Sequence, residues 1–161
     1  MNRFSQMLRA AIAGFTLTLL CACARTDGTS IGDLRIDRPW IRATAPGAPA
    51  AGGFATIRNA GRAPDRLLSA QSDLAGRVEV HEVLRDGGMM RMRHMPQGLA
   101  IPAGEKVVLQ PGGYHLMLIA PKRRYAEGET VPVRLRFERA GETVVNFVVA
   151  PMTATGSGHG Q

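Results

Sequence analysis

Short runs of β-forming residues, each closed within a few positions by glycine, proline, asparagine or aspartate, fill this chain from residue 32 onward. No segment carries a long helical period. That pattern leaves few folds open. Candidate strands are residues 32–41, 53–59, 66–71, 77–84, 89–94, 106–110, 115–120, 130–138 and 143–150. Asn59-Ala60-Gly61, Asp86-Gly87-Gly88, Pro111-Gly112-Gly113 and Ala140-Gly141 supply turns between them. Strands at this spacing predict an all-β domain, an antiparallel sandwich or barrel. Leu135 and Phe137 alternate with Arg134, Arg136 and Glu138, as in a strand with one face in water. Val144, Val145, Phe147, Val148 and Val149 form a denser run, which predicts a central strand buried more fully.

The N-terminus reads as a targeting segment rather than part of the domain. Arg3 and Arg9 precede an apolar stretch over residues 10–20, and small residues follow in Cys21-Ala22-Cys23-Ala24. This is the layout of a secretory signal peptide over residues 1–24, and its apolar stretch is too short to span a bilayer. Two processing outcomes fit. Ala22-Cys23-Ala24 matches an A-x-A cleavage site, and Leu20-Cys21-Ala22-Cys23 resembles a lipobox that would leave Cys23 lipidated at a membrane. Residues 25–31 read as a polar leader, 32–151 as the domain, and the Gly/Ser/Thr-rich residues 152–161 as a disordered tail. Export to the periplasm is the expectation either way.

Both cysteines lie in the targeting segment. The domain therefore has no thiol, which excludes a disulfide framework, a cysteine nucleophile, a cysteine-ligated zinc site and a blue-copper site. The formal charge of +7 falls to +5 once Arg3 and Arg9 are removed with the signal peptide. The basic residues are scattered, and export argues against nucleic acid. No paired catalytic acids, Ser/His/Asp order or glycine-rich phosphate loop stands out, so the chain is not read as an enzyme.

What remains is a set of soft donors: His81, Met90, Met92, His115 and Met117. Residues i and i+2 of a strand share a face about 6.6–6.8 Å apart. If Leu116 and Leu118 fill the core, His115 and Met117 project together from the other face. Met90, Met92 and His94 share a parity in the same way. Neutral imidazole and thioether suit Cu(I) better than Zn²⁺ or Ca²⁺, and neither has to lose a proton near pH 7. Glu79 or Glu82, flanking His81, could hydrogen-bond its second ring nitrogen.

At these residues the chain resembles the PCuAC-type periplasmic copper chaperones, which carry a His-x10-Met-x21-His-x-Met motif on a cupredoxin-like β-barrel. His81-x10-Met92 and His115-x-Met117 match. So do Val80-His81-Glu82, Met90-Arg91-Met92-Arg93, the stretch from Gly98 to Gly104, and Pro111-Gly112-Gly113-Tyr114-His115-Leu116-Met117-Leu118. The likeness spans residues 40–150. It departs at the middle spacing, where 22 residues stand in place of 21, and at Val83, where some relatives carry a methionine. An extra residue in the His94-Met95-Pro96-Gln97 turn accounts for the first departure. The resemblance implies one Cu(I) held by His81, Met92, His115 and Met117. It further implies a monomer that delivers copper to the CuA subunit of a cytochrome oxidase or to a related assembly factor.

Seen singly, each residue has a plainer reading. Methionine is more often core filler than ligand, and Met90 is expected to pack, with an auxiliary ligand as its alternative role. His94 is an auxiliary ligand at the mouth of the site or a surface residue. Met152 and His159 are the only donors in the tail for a second ion, Cu(II), such as longer-tailed relatives hold. Trp40 is expected to anchor the core and Tyr114 to point with Leu116. Two other functions compete with the chaperone: a periplasmic copper buffer, and an extracytoplasmic β-sandwich interaction module in which the methionines merely pack.

Overall fold

The computed structural model describes residues 28–156, and none of them is helical. Eleven strands follow in order: β1 Gly28–Ile31, β2 Leu34–Arg42, β3 Ala50–Asn59, β4 Asp65–Gln71, β5 Ala75–Asp86, β6 Met89–His94, β7 Leu99–Ile101, β8 Lys106–Leu109, β9 His115–Pro121, β10 Thr130–Phe137 and β11 Glu142–Ala150. Seven close into a barrel in the ring order β2-β11-β10-β4-β5-β9-β3, with β3 returning to β2. The seam between β2 and β11 is parallel; the other barrel pairings are antiparallel. The remaining four extend the barrel: β1 on β2, β6 on β5, β7 on β4 and β8 on β3.

Alternation of side chains explains the core. β10 buries Val131, Val133, Leu135 and Phe137 and exposes the residues between them. β11 behaves the same way, which corrects the expectation of a fully buried strand. Val145, Phe147 and Val149 point inward, while Val144 and Val148 are 47% and 38% exposed because nothing packs on the outer face. Two strands went unread in the sequence. β1, assigned to the polar leader, folds back on β2 through Gly32, whose φ of 53° suits a tight turn. β7 has only three residues, and it packs beside β4 because Gly98 brings the backbone close: a Cβ there would strike the Leu67 carbonyl oxygen. The first part of the expected tail is also placed. Residues 152–156 turn back on the barrel, and Arg42 Nη2 donates to the Ala154 carbonyl at 2.7 Å. The signal peptide, Cys23 and His159 lie outside the described residues.

A bulge in β2 has the largest local effect. Ile36 faces the core opposite Ile57, and simple parity would send Trp40 inward too. An extra residue between Asp37 and Trp40, with Arg38 at φ 48°, reverses that parity. Trp40 is buried, but on the outer face against Phe54, with ring centroids 4.4 Å apart. It is not part of the barrel interior, as expected for a core anchor. Tyr125 closes the interior. Its hydroxyl donates to the Leu74 carbonyl at 2.8 Å, and its backbone N–H donates to Thr44 Oγ1 at 3.0 Å. Thr44 N–H returns a bond to the Tyr125 carbonyl, so the loop over residues 43–49 is clamped in place.

Asp65 ties β4 to the β10–β11 turn. Its carboxylate accepts the N–H groups of Arg66, Arg139 and Ala140 at 2.7, 3.0 and 2.9 Å. Burial alone would raise its pKa, yet these backbone donors outweigh it and hold the group below the ordinary carboxylate range. Asp65→Ala leaves buried N–H groups unpaired and is expected to cost about 1–3 kcal/mol, read as a lowered denaturant midpoint at unchanged slope. A loss below about 0.5 kcal/mol, the size of a neutral surface change, would show that the turn does not depend on this carboxylate.

Candidate metal centre

β5 lies between β6 and β9, and register alone aligns the donors. His81 pairs with His94 of β6 on one side and with His115 of β9 on the other. The three imidazoles form a row, with ring centroids 5.6 Å and 5.7 Å apart. Val80, Leu116 and Leu118 fill the interior as expected, so His81, His115 and Met117 face outward. Met92 pairs with Val83 and Met117 with Glu79, placing the two thioethers on opposite diagonals of His81.

Past the barrel edge, β5 and β6 continue as a two-stranded ribbon. Gly87 and Gly88 make its tip at φ 55° and 83°, the two positive values a tight hairpin needs. Met90 and Met92 face across a cavity of about 410 Å³. His115 and Met117 line the same cavity, Phe54 and Gly52 belong to its β3 wall, and Arg42 with the 43–51 segment closes the far side. A Cβ on Gly52 would come within 2.9 Å of the Phe54 ring, so glycine keeps the space beside Met117 open. Burial is graded across the donors. His115 is 5% exposed, Met117 is half-buried, and Met92 and Met90 are 60% and 63% exposed at the mouth.

Hydrogen bonds decide which ring nitrogens remain free. His115 Nδ1 lies 3.1 Å from the Gly113 carbonyl. A neutral ring donates there, which leaves Nε2 as a lone pair. Burial pushes the His115 pKa below its usual value; the Gly113 bond opposes this and the nearby His81 adds to it. His81 Nε2 lies 2.8 Å from Glu79 Oε2, and Arg77 Nε donates to the other oxygen at 2.7 Å. The bonds from His81 and then Arg77 hold Glu79 at a pKa of about 2, so it is ionised and accepts a hydrogen bond from the His81 Nε2–H. His81 Nδ1 is then a buried lone pair with no hydrogen-bond partner among the described residues. A buried acceptor left unpaired carries a desolvation cost that a metal ion would relieve. Of the two carboxylates flanking His81, Glu79 takes the imidazole and Glu82 pairs with Arg93 at 2.6 Å.

The chemistry of the donor set is selective. Among the described residues no three His, Asp or Glu side chains come together to hold an ion. Any metal here depends on the thioethers, which favours a soft ion. Met92, His115 and Met117 share the cavity, and His81 sits beside His115 rather than in its wall. Met90 does not pack, contrary to expectation; the ribbon carries it out of the core and onto the cavity wall. His94 is exposed one ring from His81. Met152 is exposed in the turn after β11. Sequence reasoning missed Arg42 and the Trp40–Phe54 shelf. The parity of Phe54 with Thr56 was a usable signal, whereas Trp40 was hidden by the bulge.

The chain is similar to known proteins over most of its length. A family described as "Putative lipoprotein LpqE-like" matches residues 34–149. "Putative lipoprotein Lxx21020" of Leifsonia xyli subsp. xyli is 30% identical over 144 residues, covering 85% of this chain and 86% of that protein. The copper-bound PCuAC domain from PmoF2 superimposes with a TM-score of 0.66 at 25% identity, over 77% of this chain and 97% of that one. The solution structure of Cu(I)-DR1885 from Deinococcus radiodurans gives 0.59 at 27% identity, over 80% and 83%. The barrel is cupredoxin-like, as are these PCuAC domains.

His115 is expected to titrate below the ordinary histidine value of 6.5, followed by NMR of its ring carbons in the metal-free protein. Its folded-state pKa lies below the unfolded one. The stability it contributes is therefore complete above the unfolded value and is lost as the pH falls through the folded one. Titration at or above 6.5 would mean that the ring is not desolvated.

Proposed function

The chain belongs to the LpqE-like lipoprotein family, and on that basis we propose that it is an exported Cu(I) chaperone of the PCuAC type. The observation that carries this reading is the unpaired, buried Nδ1 of His81 beside His115, next to a cavity lined by thioethers. His81, Met92, His115 and Met117 are the ligands in this reading. Glu79 orients His81, and the Gly113 carbonyl orients His115. Four neutral donors leave the single charge of Cu(I) intact and offer nothing that favours a hard divalent ion.

The gradient of burial supports carriage rather than catalysis. His115 gives a fixed anchor at the floor, while Met92 at the rim can be exchanged for a ligand of an incoming protein. The exposure of Met92 and Met90 also weighs against the interaction-module reading, which needs packed methionines. An acceptor at the CuA centre of cytochrome oxidase, or an assembly factor upstream of it, fits the PCuAC resemblance. A lipid at Cys23 would hold the carrier near such a membrane acceptor, in the periplasm and as a monomer. A copper buffer would use the same site. Deleting the gene and assaying oxidase activity at low copper separates the two, because only the chaperone reading predicts a deficit.

Competition against a Cu(I) chelator tests the site itself. His115→Ala with Met117→Ala is expected to abolish stoichiometric binding while the β-sheet circular dichroism is kept. Glu79→Ala is expected to weaken binding about 10–100-fold by freeing the His81 ring. Wild-type affinity in the double variant would refute the assignment. Affinity should fall in acid as the two imidazoles protonate, and bound Cu(I) should protect Met92 and Met117 from peroxide.

A further inference from the structure

We propose that the cavity beside the donor set is a carboxylate-binding pocket, in which Arg42 holds the acid group of an organic ligand lying next to the metal. The inference rests on the copper reading for that adjacency, and on Arg42 and the cavity for everything else.

Arg42 ends β2 and forms part of the cavity wall, where it is the only charged residue among the described ones. Its guanidinium carbon lies 6.0 Å from the Trp40 ring centroid and 5.8 Å from that of Phe54. Its Nη2 donates to the Ala154 carbonyl at 2.7 Å. The plane is thus held by two aromatic rings and one backbone oxygen. No carboxylate among the described residues pairs with it; other arginines, Arg38, Arg85 and Arg136 among them, also lack one, but they are exposed, whereas Arg42 is half-buried. Its Nε is buried with no hydrogen-bond partner among the described residues. Nη1 is neither buried nor hydrogen-bonded among the described residues, so the oriented cation still presents N–H groups to a carboxylate on the cavity side.

Size and lining define the rest of the ligand. A cavity of about 410 Å³ falls in the range of small-molecule sites. It greatly exceeds the volume of about 30 Å³ that one water occupies in the liquid, so an ion would leave most of it free. Ala43, Ala48, Ala51, Phe54 and Val83 give apolar walls that suit a short hydrocarbon body. Electrostatics points the same way. A fixed cation facing a metal cation is unfavourable, and an anion held between them relieves the repulsion. The ligand class is therefore a carboxylate on a small apolar body, supplied by a free organic acid or by an acidic side chain of an acceptor.

The test uses ¹⁵N-labelled protein titrated with sodium butyrate and with a blocked aspartate dipeptide, against sodium chloride at equal ionic strength. The Arg42 Nε–H resonance reports directly. Saturable shifts at Arg42, Phe54 and Met117 are expected with a carboxylate. Arg42→Gln should weaken this binding at least tenfold, and Cu(I) loading should tighten it. Tighter butyrate binding assigns the pocket to free acids, and tighter dipeptide binding assigns it to an acceptor's side chain. Ala48→Leu, which narrows the cavity with the guanidinium intact, should also weaken binding and serves if Arg42→Gln does not fold. Equal response to chloride, or no response while Cu(I) binds normally, overturns this proposal alone. Carboxylate binding without Cu(I) uptake overturns the copper reading instead.

Discussion

The pairing of β5 with β6 and β9 in one register is the constraint from which the rest of the site follows. His81 stands opposite His94 and His115. A slip of one residue in β5 would turn Val80 outward and drive His81 into the hydrocarbon interior. The register is held by burial rather than by the donors themselves. Val80, Leu116 and Leu118 are buried on the inner side, and the cost of exposing them keeps the imidazoles outside. A site assembled in this way needs no metal to form its scaffold.

The second device is the bulge in β2. One extra residue moves Trp40 from the interior to the outer face, where it joins Phe54 as a shelf beneath Arg42. The same stretch of chain leads into the 43–49 loop, clamped by the bonds between Thr44 and Tyr125. Together they raise a wall opposite the β5–β6 ribbon. Without that wall the thioethers would lie on an open sheet face, and no cavity would separate a bound ion from water.

Within the site, fixed and loose parts are divided by burial. The imidazoles are positioned by Glu79 and the Gly113 carbonyl, and His115 lies on the cavity floor. The thioethers of β6 ride on a ribbon that hydrogen-bonds to β5 alone among the described strands. In the proposed carrier role, preset nitrogen donors would favour capture and loosely held sulfur donors would favour release.

Much of this was legible in the sequence. Alternation and turn residues located nine of the strands, and the parity of Leu116 and Leu118 put His115 and Met117 on one outer face. The set His81, Met92, His115 and Met117 came from the family resemblance rather than from the residues alone. The misses have local physical causes. β1 and β7 were too short to show a period, the run around Val144 hid its alternation behind valines, and the bulge inverted the parity of Trp40. What the chain order by itself determined is which residues are soft donors and that His115 and Met117 share a face, because both depend on residue type and a period of two. Only the folded barrel decided that β6 and β9 flank β5, that Glu79 takes one His81 nitrogen and leaves the other buried, and that Arg42 faces the same hollow. Those depend on pairings between distant segments, and the burial of the whole interior selects them rather than any local rule.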